Sequence, residues 1–195
     1  MFVDDSLPST DGRRRRSEQS RDRIIAAMMT LVADGHLNPS AEDVAARAEV
    51  GLRSVFRHFK DMDSLYAEMS LRLTRLYEPA LEPFISPDWR GKLGEMIVRR
   101  TNIYEQLLPF KRAADAHRHE SSSIEANHKA MNVMLRERLA QILPATIAGN
   151  PQAFEVIDML LSIDCWQRLR IEQQLDAAMA RRLIDSQIIQ IVGNA

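Results

Sequence analysis

The sequence predicts an all-α fold, in which a small three-helix N-terminal domain is followed by a larger helical domain. Three observations lead to this prediction. Ala, Leu, Met, Arg and Glu, which favour helices, are plentiful, while Gly is sparse. Apolar residues recur at helical spacing along most of the chain. No segment alternates apolar and polar residues as a half-buried strand does, and the sequence contains no internal repeat.

Length and composition narrow the possible functions. The chain has 195 residues, 45% of them apolar, which suits one domain or two small ones with real cores. The formal net charge is −1, so any affinity for nucleic acid must be local. The single cysteine, Cys165, excludes an intrachain disulfide and fits a reducing compartment. We see no signal peptide and no apolar run that could span a membrane, and therefore expect a cytoplasmic protein without a membrane partner.

Positive charge is concentrated near the N-terminus. Residues 1–12 include Pro, Ser, Thr and Gly and are expected to be disordered. Four consecutive arginines follow, and residues 13–60 contain ten basic side chains against six acidic ones. A basic run can be no more than a solvated surface. Its position before the next motif instead favours a disordered basic arm, residues 1–16, that follows DNA phosphates or enters the minor groove.

The first helix is predicted from Ser17 to Ala33. Gly35 ends it in the usual C-terminal position, and Asn38-Pro39 breaks the chain before the next element. Its apolar stripe must cover the two short helices that follow, because neither is long enough to be stable alone. The stripe consists of Ile24, Ile25, Met28, Leu31 and Val32.

Residues 40–59 predict two short helices joined by a tight turn. Ser40 can cap the first helix, and Asp43 stands where a capping box returns a hydrogen bond to the cap. Val44, Ala45 and Ala48 share one face, and the two alanines are small enough to let a second helix approach. Glu49, Val50 and Gly51 form the turn, and Gly51 is expected to supply the conformational freedom that the turn needs.

The second short helix has an inner and an outer face. Val55 and Phe59 lie four residues apart and are expected on the inner face. The outward or sideways positions are Leu52, Arg53, Ser54, Phe56, Arg57 and His58. This arrangement suits a recognition helix that lies in the major groove of DNA.

The residues that carry this pattern are Asp43-Val44-Ala45-Ala46-Arg47-Ala48, Val50, Ser54-Val55-Phe56-Arg57-His58-Phe59-Lys60 and Ser64-Leu65-Tyr66. Together they resemble the DNA-binding segment of the TetR family of bacterial transcriptional regulators, over roughly residues 24–66. The sequence departs from that family at three positions. Glu49 replaces the usual Gly, Phe56 replaces a Tyr that contacts phosphate, and Met62 replaces a Lys that contacts phosphate.

Position within the motif predicts the DNA contacts. Arg53 is the outward-facing long donor near the start of the recognition helix, where its guanidinium can fork onto guanine O6 and N7. Leu52 can touch a thymine methyl group, while Ser54, Arg57, His58 and Lys60 are better placed for phosphates. The full predicted DNA-binding set is Arg13, Arg14, Arg15, Arg16, Ser40, Leu52, Arg53, Ser54, Phe56, Arg57, His58 and Lys60.

The second half is predicted as further helices separated by Pro and polar turns. The domains are therefore expected at residues 17–61, which hold the helix-turn-helix, and 62–195. A long helix near 62–78, capped by Asp61 or Asp63, joins the two. The remaining predicted helices cover residues 89–108, stopped by Pro109, and then 110–117, 122–143, 151–173 and 176–192.

Methionine and aromatic residues from several of these helices form a candidate ligand site. For any one of them, ordinary core packing is the simpler interpretation. As a set they can line a cavity, because Met adapts its shape and Tyr or Trp adds a polar group. The resemblance implies an inducer site in this half, for a small, mainly hydrophobic effector. The predicted lining is Met69, Leu73, Tyr77, Tyr104, Phe110, His117, Met131, Met134 and Trp166.

Apolar stripes on the last two helices suggest an interface between subunits. The resemblance implies a four-helix bundle made from these helices and their copies in a homodimer. The alternative is that the same residues only complete the core of one chain. The predicted interface residues are Ile157, Leu161, Leu183, Ile184 and Ile188.

Enzyme and metal motifs are not found. The sequence has no Gly-rich phosphate loop, no nucleophile elbow and no two-His zinc helix. Cys165 lies between Asp164 and Trp166 in a predicted helix, where a small buried thiol is the usual interpretation. His117, His119 and His128 are interpreted as polar turn residues rather than zinc ligands. We therefore expect neither an enzyme nor a metal or cofactor site.

The hypothesis from sequence is a dimeric, TetR-like transcriptional regulator that binds double-stranded DNA at a palindromic operator. It is expected to be a repressor that a small molecule releases. One alternative is a regulator of the same fold without such a ligand, acting as an activator or controlled by a partner protein. Another is a helical enzyme or binding protein whose helix-turn-helix is only architectural.

Overall fold

The structure, a computed structural model, describes residues 10–117 and 122–194. Every regular element in these two ranges is helical, so the predicted all-α fold class is confirmed. The helices are α1 (Thr10–Ala33), α2 (Ala41–Arg47), α3 (Leu52–His58), α4 (Met62–Leu73), α5 (Glu78–Leu81), α6 (Trp89–His117), α7 (Ser122–Ile142), α8 (Ala145–Ala148), α9 (Pro151–Leu160), α10 (Ile163–Gln167) and α11 (Ala177–Asn194), with a 3₁₀ turn at Thr74–Tyr77 and a π turn at Arg168–Glu172.

The described chain divides into two compact units. The first contains residues 10–71, 109–117 and 122–124, and the second contains residues 72–108 and 125–194. The boundaries lie within α4, α6 and α7 rather than in loops. The domain limits expected from the sequence, after residues 16 and 61, stay predictions.

The apolar stripe of α1 forms the core of the first unit, as its helical spacing predicts. Its five residues are at most 5% exposed, together with Val44 of α2 and Val55 of α3. Gly35 follows α1 at φ +97°, a left-handed conformation that glycine adopts without strain. The backbone N–H groups of Gly35 and His36 then donate to carbonyls of the last turn, which closes the end of the helix.

One ion pair ties α1 to α4 within this unit. The Arg21 guanidinium donates to both carboxylate oxygens of Glu68, at 2.7 and 3.2 Å, and lies 5.2 Å from the centre of the Phe59 ring. The carboxylate raises the pKa of Arg21. Asp61 caps α4 as predicted, because its Oδ1 accepts from the Ser64 N–H at 2.9 Å. These contacts hold the C-terminal end of α3 against α1 and α4.

The second unit has its own core, in which Tyr104, Trp166 and Ile184 are at most 2% exposed. Two large side chains of this core have hydrogen-bonded polar atoms. The Trp166 indole N–H donates to the Glu105 carboxylate at 2.8 Å, and the Tyr104 hydroxyl donates to the Leu161 carbonyl at 2.8 Å. Burial raises the pKa of Tyr104 to about 12.

Two arginines fasten the segment between α5 and α6. Arg99 donates to the carbonyls of Glu82 and Pro83, and Arg138 also donates to the Glu82 carbonyl. Both guanidinium groups lie over the ring of Phe84, at 5.0 and 4.6 Å from its centre. They therefore supply hydrogen-bond donors to carbonyls that follow a helix end and have no partner within it.

Three predicted helix boundaries are wrong, besides that of the helix predicted over 62–78, of which α4 covers only Met62–Leu73 before the 3₁₀ turn and α5. Helix α1 begins at Thr10 instead of Ser17, because arginine favours helices and the Arg14–Glu18 ion pair supports the early turns. Helix α6 runs through Pro109, which removes one backbone hydrogen bond while the neighbouring leucines at positions 107 and 108 stay packed.

The third wrong boundary is the helix predicted over 151–173, which is interrupted at Leu161. Ser162 starts a new helix there, with its hydroxyl accepting from the Cys165 N–H at 3.1 Å. The carbonyl of Leu161 accepts from the buried Tyr104 instead of continuing the helix. Within the described ranges, no helix is both long enough and apolar enough to cross a bilayer.

Candidate nucleic-acid interface

The first helix of the motif, α2, begins with the capping box that the sequence suggested. The Ser40 hydroxyl accepts from the Asp43 N–H at 3.1 Å, and the Asp43 carboxylate accepts from the Ser40 N–H at 2.9 Å. The Ser40 backbone N–H, and then its hydroxyl, lower the pKa of Asp43. The Ser40 hydroxyl also donates to the Asp43 carboxylate at 2.8 Å, so its hydrogen and one of its lone pairs are both occupied in starting α2. Its contact with DNA stays a prediction.

The turn between α2 and α3 takes its unusual backbone at Glu49 and not at Gly51. Glu49 has φ +52°, a left-handed conformation that costs side-chain-bearing residues energy, while Gly51 has an ordinary φ of −70°. The prediction for Gly51 is therefore wrong, and the strained position is the one where the TetR family usually has glycine. The Arg23 guanidinium stabilises the turn by donating to the carbonyls of Ala48 and Glu49.

The recognition helix α3 shows the two faces that its sequence predicts. Val55 is 1% exposed and Phe59, just past the end of the helix, is 4% exposed. On the outer side, Leu52 and Phe56 are 37% and 49% exposed. Two apolar side chains therefore lie on the exposed side of α3, beside Arg53.

Arg53, Arg57 and Lys60 are exposed and bring three positive charges to one short segment. Within the described part of the chain, Arg53 has no hydrogen bond or ion pair, so its guanidinium is available to a base edge. Arg57 donates to the Ser54 hydroxyl at 3.3 Å, which places both side chains on the same side of α3. This cluster can neutralise phosphates, which supply most of the affinity of proteins for DNA.

The His58 ring is partly buried, so it is not free to bind phosphate with both of its nitrogens. Its Nε2 atom is buried and has no hydrogen-bond partner in the described chain. Burial, and then the charges of Arg57 and Arg21, lower the pKa of His58 below its ordinary 6.5. The ring is therefore neutral at pH 7, and in this conformation only its Nδ1 atom could reach a phosphate.

The four arginines at residues 13–16 are exposed but helical. Consecutive helical residues are about 100° apart, so the four side chains fan around most of α1. Arg14 also pairs with Glu18 at 2.9 Å. They cannot all point to one DNA backbone, as an extended arm would allow. Residues 1–9 of the predicted arm lie outside the described residues.

The predicted ligand-lining residues are divided between the two units, and their role in binding a ligand stays a prediction. Met69 and Phe110 belong to the first unit, whereas Leu73, Tyr77, Tyr104, Met131, Met134 and Trp166 belong to the second. Trp166 is fully buried, and burial raises the pKa of Tyr77. The side chain of His117 lies outside the described residues.

Within the second unit, Tyr104 borders a cavity of about 210 Å³ between α6, α7 and the α9–α10 break. Its other polar residues, none of them predicted from the sequence as site residues, are Arg100, Asn132, Arg136, Asp158 and Ser162. One signal could have revealed Arg100. Arg100 lies four residues after Met96 and four before Tyr104, so it shares their buried side of α6. A charged residue at such a position is unusual.

The predicted interface residues fall into two groups. Ile157, Leu161, Ile184 and Ile188 are at most 2% exposed, so they pack inside the second unit of a single chain. Leu183 is 39% exposed on α11. The exposed large apolar residues on α9 and α11 are Val156, Met159, Met179, Leu183 and Ile189.

The thiol of Cys165 is partly buried beside Asp164. Burial, followed by the charge of Asp164, raises the pKa of the Cys165 thiol, which makes it a weaker nucleophile at neutral pH. The described residues contain no group of three or more His, Cys, Asp or Glu side chains suited to a metal ion. His119 lies outside the described residues.

The fold has been seen before. The chain is similar to a transcriptional regulator from Rhodococcus sp. Rha1, with a TM-score of 0.72 and 19% identity, over 90% of this chain and 97% of the other. A TetR-like transcriptional regulator from Rhodococcus sp. RHA1 gives a TM-score of 0.63 and 17% identity over the same shares. The multidrug binding protein EbrR, solved with imidazole, gives 0.56 and 17% over 98% and 96%. No family model and no curated protein matches the chain.

These similarities establish the class of fold. The chain folds as TetR-like transcriptional regulators do, over nine-tenths of its length. The resemblance first seen in residues 24–66 is therefore confirmed at the level of the fold. At such low identity the roles of individual residues rest on the geometry described above.

Proposed function

We propose that this protein is a DNA-binding transcriptional regulator, and that it represses transcription by binding a palindromic operator as a homodimer. The observation that carries the proposal is the outer face of α3. It presents Arg53, Arg57 and Lys60 beside exposed Leu52 and Phe56, on a helix held by a capped helix-turn-helix. A helix of this kind fits the major groove, where Arg53 reads guanine.

The small size of the helix-turn-helix supports a homodimer. A single α3 of seven residues contacts only a few base pairs, so two copies at fixed spacing give useful specificity. The exposed apolar residues of α9 and α11, with Leu183 and Met159 among them, support a pairing through these helices. Buried residues would then support the interface by packing beneath these exposed side chains. They are Ile157, Leu161, Ile184 and Ile188.

Control by a small molecule is the remaining part of the proposal. An effector that weakens DNA binding by a given factor must bind the DNA-free dimer more tightly than the DNA-bound dimer by that same factor. The cavity beside Tyr104 in the second unit supports the existence of such a site. The multidrug binding protein with the same fold was solved with imidazole, which supports ligand binding by this class of fold.

The test is DNA binding measured over a range of salt concentrations. Sequences selected from a random pool should be palindromic, and the affinity should fall steeply as salt rises, because phosphate contacts release counterions. A variant with Arg57→Gln and Lys60→Gln should lose affinity for all sequences alike. If the wild-type protein selects no consensus and shows no salt dependence, the helix-turn-helix is architectural and the proposal fails.

A further inference from the structure

Arg100 places a positive charge inside the second unit. The residue is 2% exposed, and its guanidinium donates to the carbonyls of Leu135 and Leu161. No carboxylate of the described chain lies within ion-pair distance of it. The nearby Asp158 is instead paired with Arg136, at 2.9 Å. Burial lowers the pKa of Arg100, but an arginine stays protonated in proteins.

Such a charge is costly unless something compensates for it. Carbonyl acceptors satisfy its hydrogen bonds but carry no net charge, and a buried ion needs a counter-charge to offset the loss of water. Capping the end of α9 does not explain the residue, because the Tyr104 hydroxyl already donates to the Leu161 carbonyl at 2.8 Å. Arg100 therefore does more than close a helix.

The same arginine borders the cavity of about 210 Å³. The charged side chains of its lining are Arg100, Arg136 and Asp158. Arg136 is paired with Asp158 and also with Glu155, which lies outside the lining, so Arg100 is the charged side chain of the lining that has no ion pair within the described residues. Asn132 and Val133 of α7 are exposed, so the cavity has a mouth on the surface. Apolar contact is available from Val133, Leu135 and Met159.

We infer that this cavity binds a small organic acid, with its carboxylate facing Arg100 and a short apolar body against Val133, Leu135 and Met159. The inference deepens the proposed function, on which it rests, by assigning the chemical class of the effector. It replaces the mainly hydrophobic effector that the sequence suggested. A volume of about 210 Å³ lies below the usual range for drug-sized ligands, so the acid must be small.

The first experiment compares matched probes that differ only in their head group. Benzoate, benzyl alcohol and benzylamine form one series, and hexanoate, hexanol and hexylamine form another, each titrated into the full-length protein by calorimetry at pH 7. The carboxylate of at least one series should bind about tenfold more tightly than its alcohol, because charge-assisted hydrogen bonds exceed neutral ones. Equal binding within both series, tighter binding of the amines, or no binding of either acid overturns the inference.

Variants then assign the binding to Arg100. Arg100→Gln keeps a donor for the carbonyls but removes the charge, and it should abolish the preference for the acid. Because this buried change can also prevent folding, Asn132→Trp provides a second test at an exposed position on the mouth of the cavity. It should block the acid while leaving the melting temperature of the probe-free protein unchanged. Full binding of the acid to a folded form of either variant places the site elsewhere and overturns the inference.

Operator binding separates the two proposals. If acids bind in an Arg100-dependent way but do not weaken DNA binding, the acid site stands, whereas release by ligand fails and with it the assignment of the acid as effector. If alcohols or amines release DNA and acids neither bind nor release it, the proposed function stands and the inference fails. Each proposal thus has its own failing outcome.

Discussion

Glu49 and Arg23 show how single residues set the geometry of the helix-turn-helix. Glu49 holds a left-handed backbone at φ +52°, which costs a residue with a side chain about 1–2 kcal/mol. The Arg23 guanidinium offsets part of this cost by binding the carbonyls of Ala48 and Glu49. The helix-turn-helix therefore accommodates Glu49 in a left-handed conformation that glycine would adopt without strain.

Replacing Glu49 with glycine should stabilise the protein. Glycine relieves the strain but adds freedom to the unfolded chain, so we expect a net gain of about 0.5–1 kcal/mol. The ion pair between Arg23 and Glu49, at 4.0 Å and largely exposed, contributes little. Urea unfolding measures the change. The matched control, Ala46→Gly within α2, should lose about 1 kcal/mol. A destabilised Glu49→Gly protein would contradict the left-handed assignment.

His58 should make the stability of the first unit depend on pH. Its folded-state pKa is lowered, so protonation favours the unfolded chain. Stability is then fully present above the ordinary pKa of 6.5 and falls as the pH drops through that value toward the lower folded pKa. In urea unfolding between pH 7.5 and 5.5, His58→Asn should lose less stability than the wild type. An identical loss in both proteins would show that His58 is not the titrating group.

At the scale of elements, the sequence predicted helices well where one face is buried and ends are capped. The stripe of α1, the Ser40 box and the Asp61 cap were all visible as local patterns. The failures have tertiary causes. The first turns of α1 lack a buried stripe, α6 passes Pro109 because neighbouring leucines hold it, and the α9 break depends on Tyr104, which is distant in sequence. The cavity was missed for the same reason, since its lining comes from separate helices.

The helical position of the four arginines changes what they can contribute to DNA binding. Because the side chains fan around α1, only one or two can reach phosphates of the same DNA. Replacing residues 13–16 with glutamine should therefore reduce the slope of log affinity against log salt by about one to two, rather than by about four. Operator titrations at several salt concentrations measure this slope. An unchanged slope would show that these arginines do not contact phosphates. A reduction of the slope by about four would require an extended arm.

At the scale of the whole molecule, burial separates residues that build the chain from those that can join two chains. Ile188 is 1% exposed, whereas Leu183 and Met159 are 39% and 58% exposed. The apolar stripes in the sequence could not make this distinction, because core and interface positions recur with the same helical period. Four of the five predicted interface residues accordingly lie inside the second unit.

Substitutions at the two kinds of position should have different effects. Met159→Asp with Leu183→Asp should split the dimer while leaving the helical circular dichroism signal unchanged, because both side chains are exposed. Ile188→Asp buries a charge and should instead unfold the second unit. Sedimentation equilibrium with circular dichroism distinguishes the two. A double variant that remains dimeric would place the interface on another surface.

In the proposed function, α3 reads DNA through Arg53. The most direct measurement is selection of binding sites from random DNA by the wild-type protein and by Arg53→Ala, with affinities then measured at one salt concentration. We predict a palindromic consensus with a guanine in each half-site, and a loss of about 1–3 kcal/mol per contact with relaxed choice at that position in the variant. The same consensus and affinity from both proteins would contradict the account.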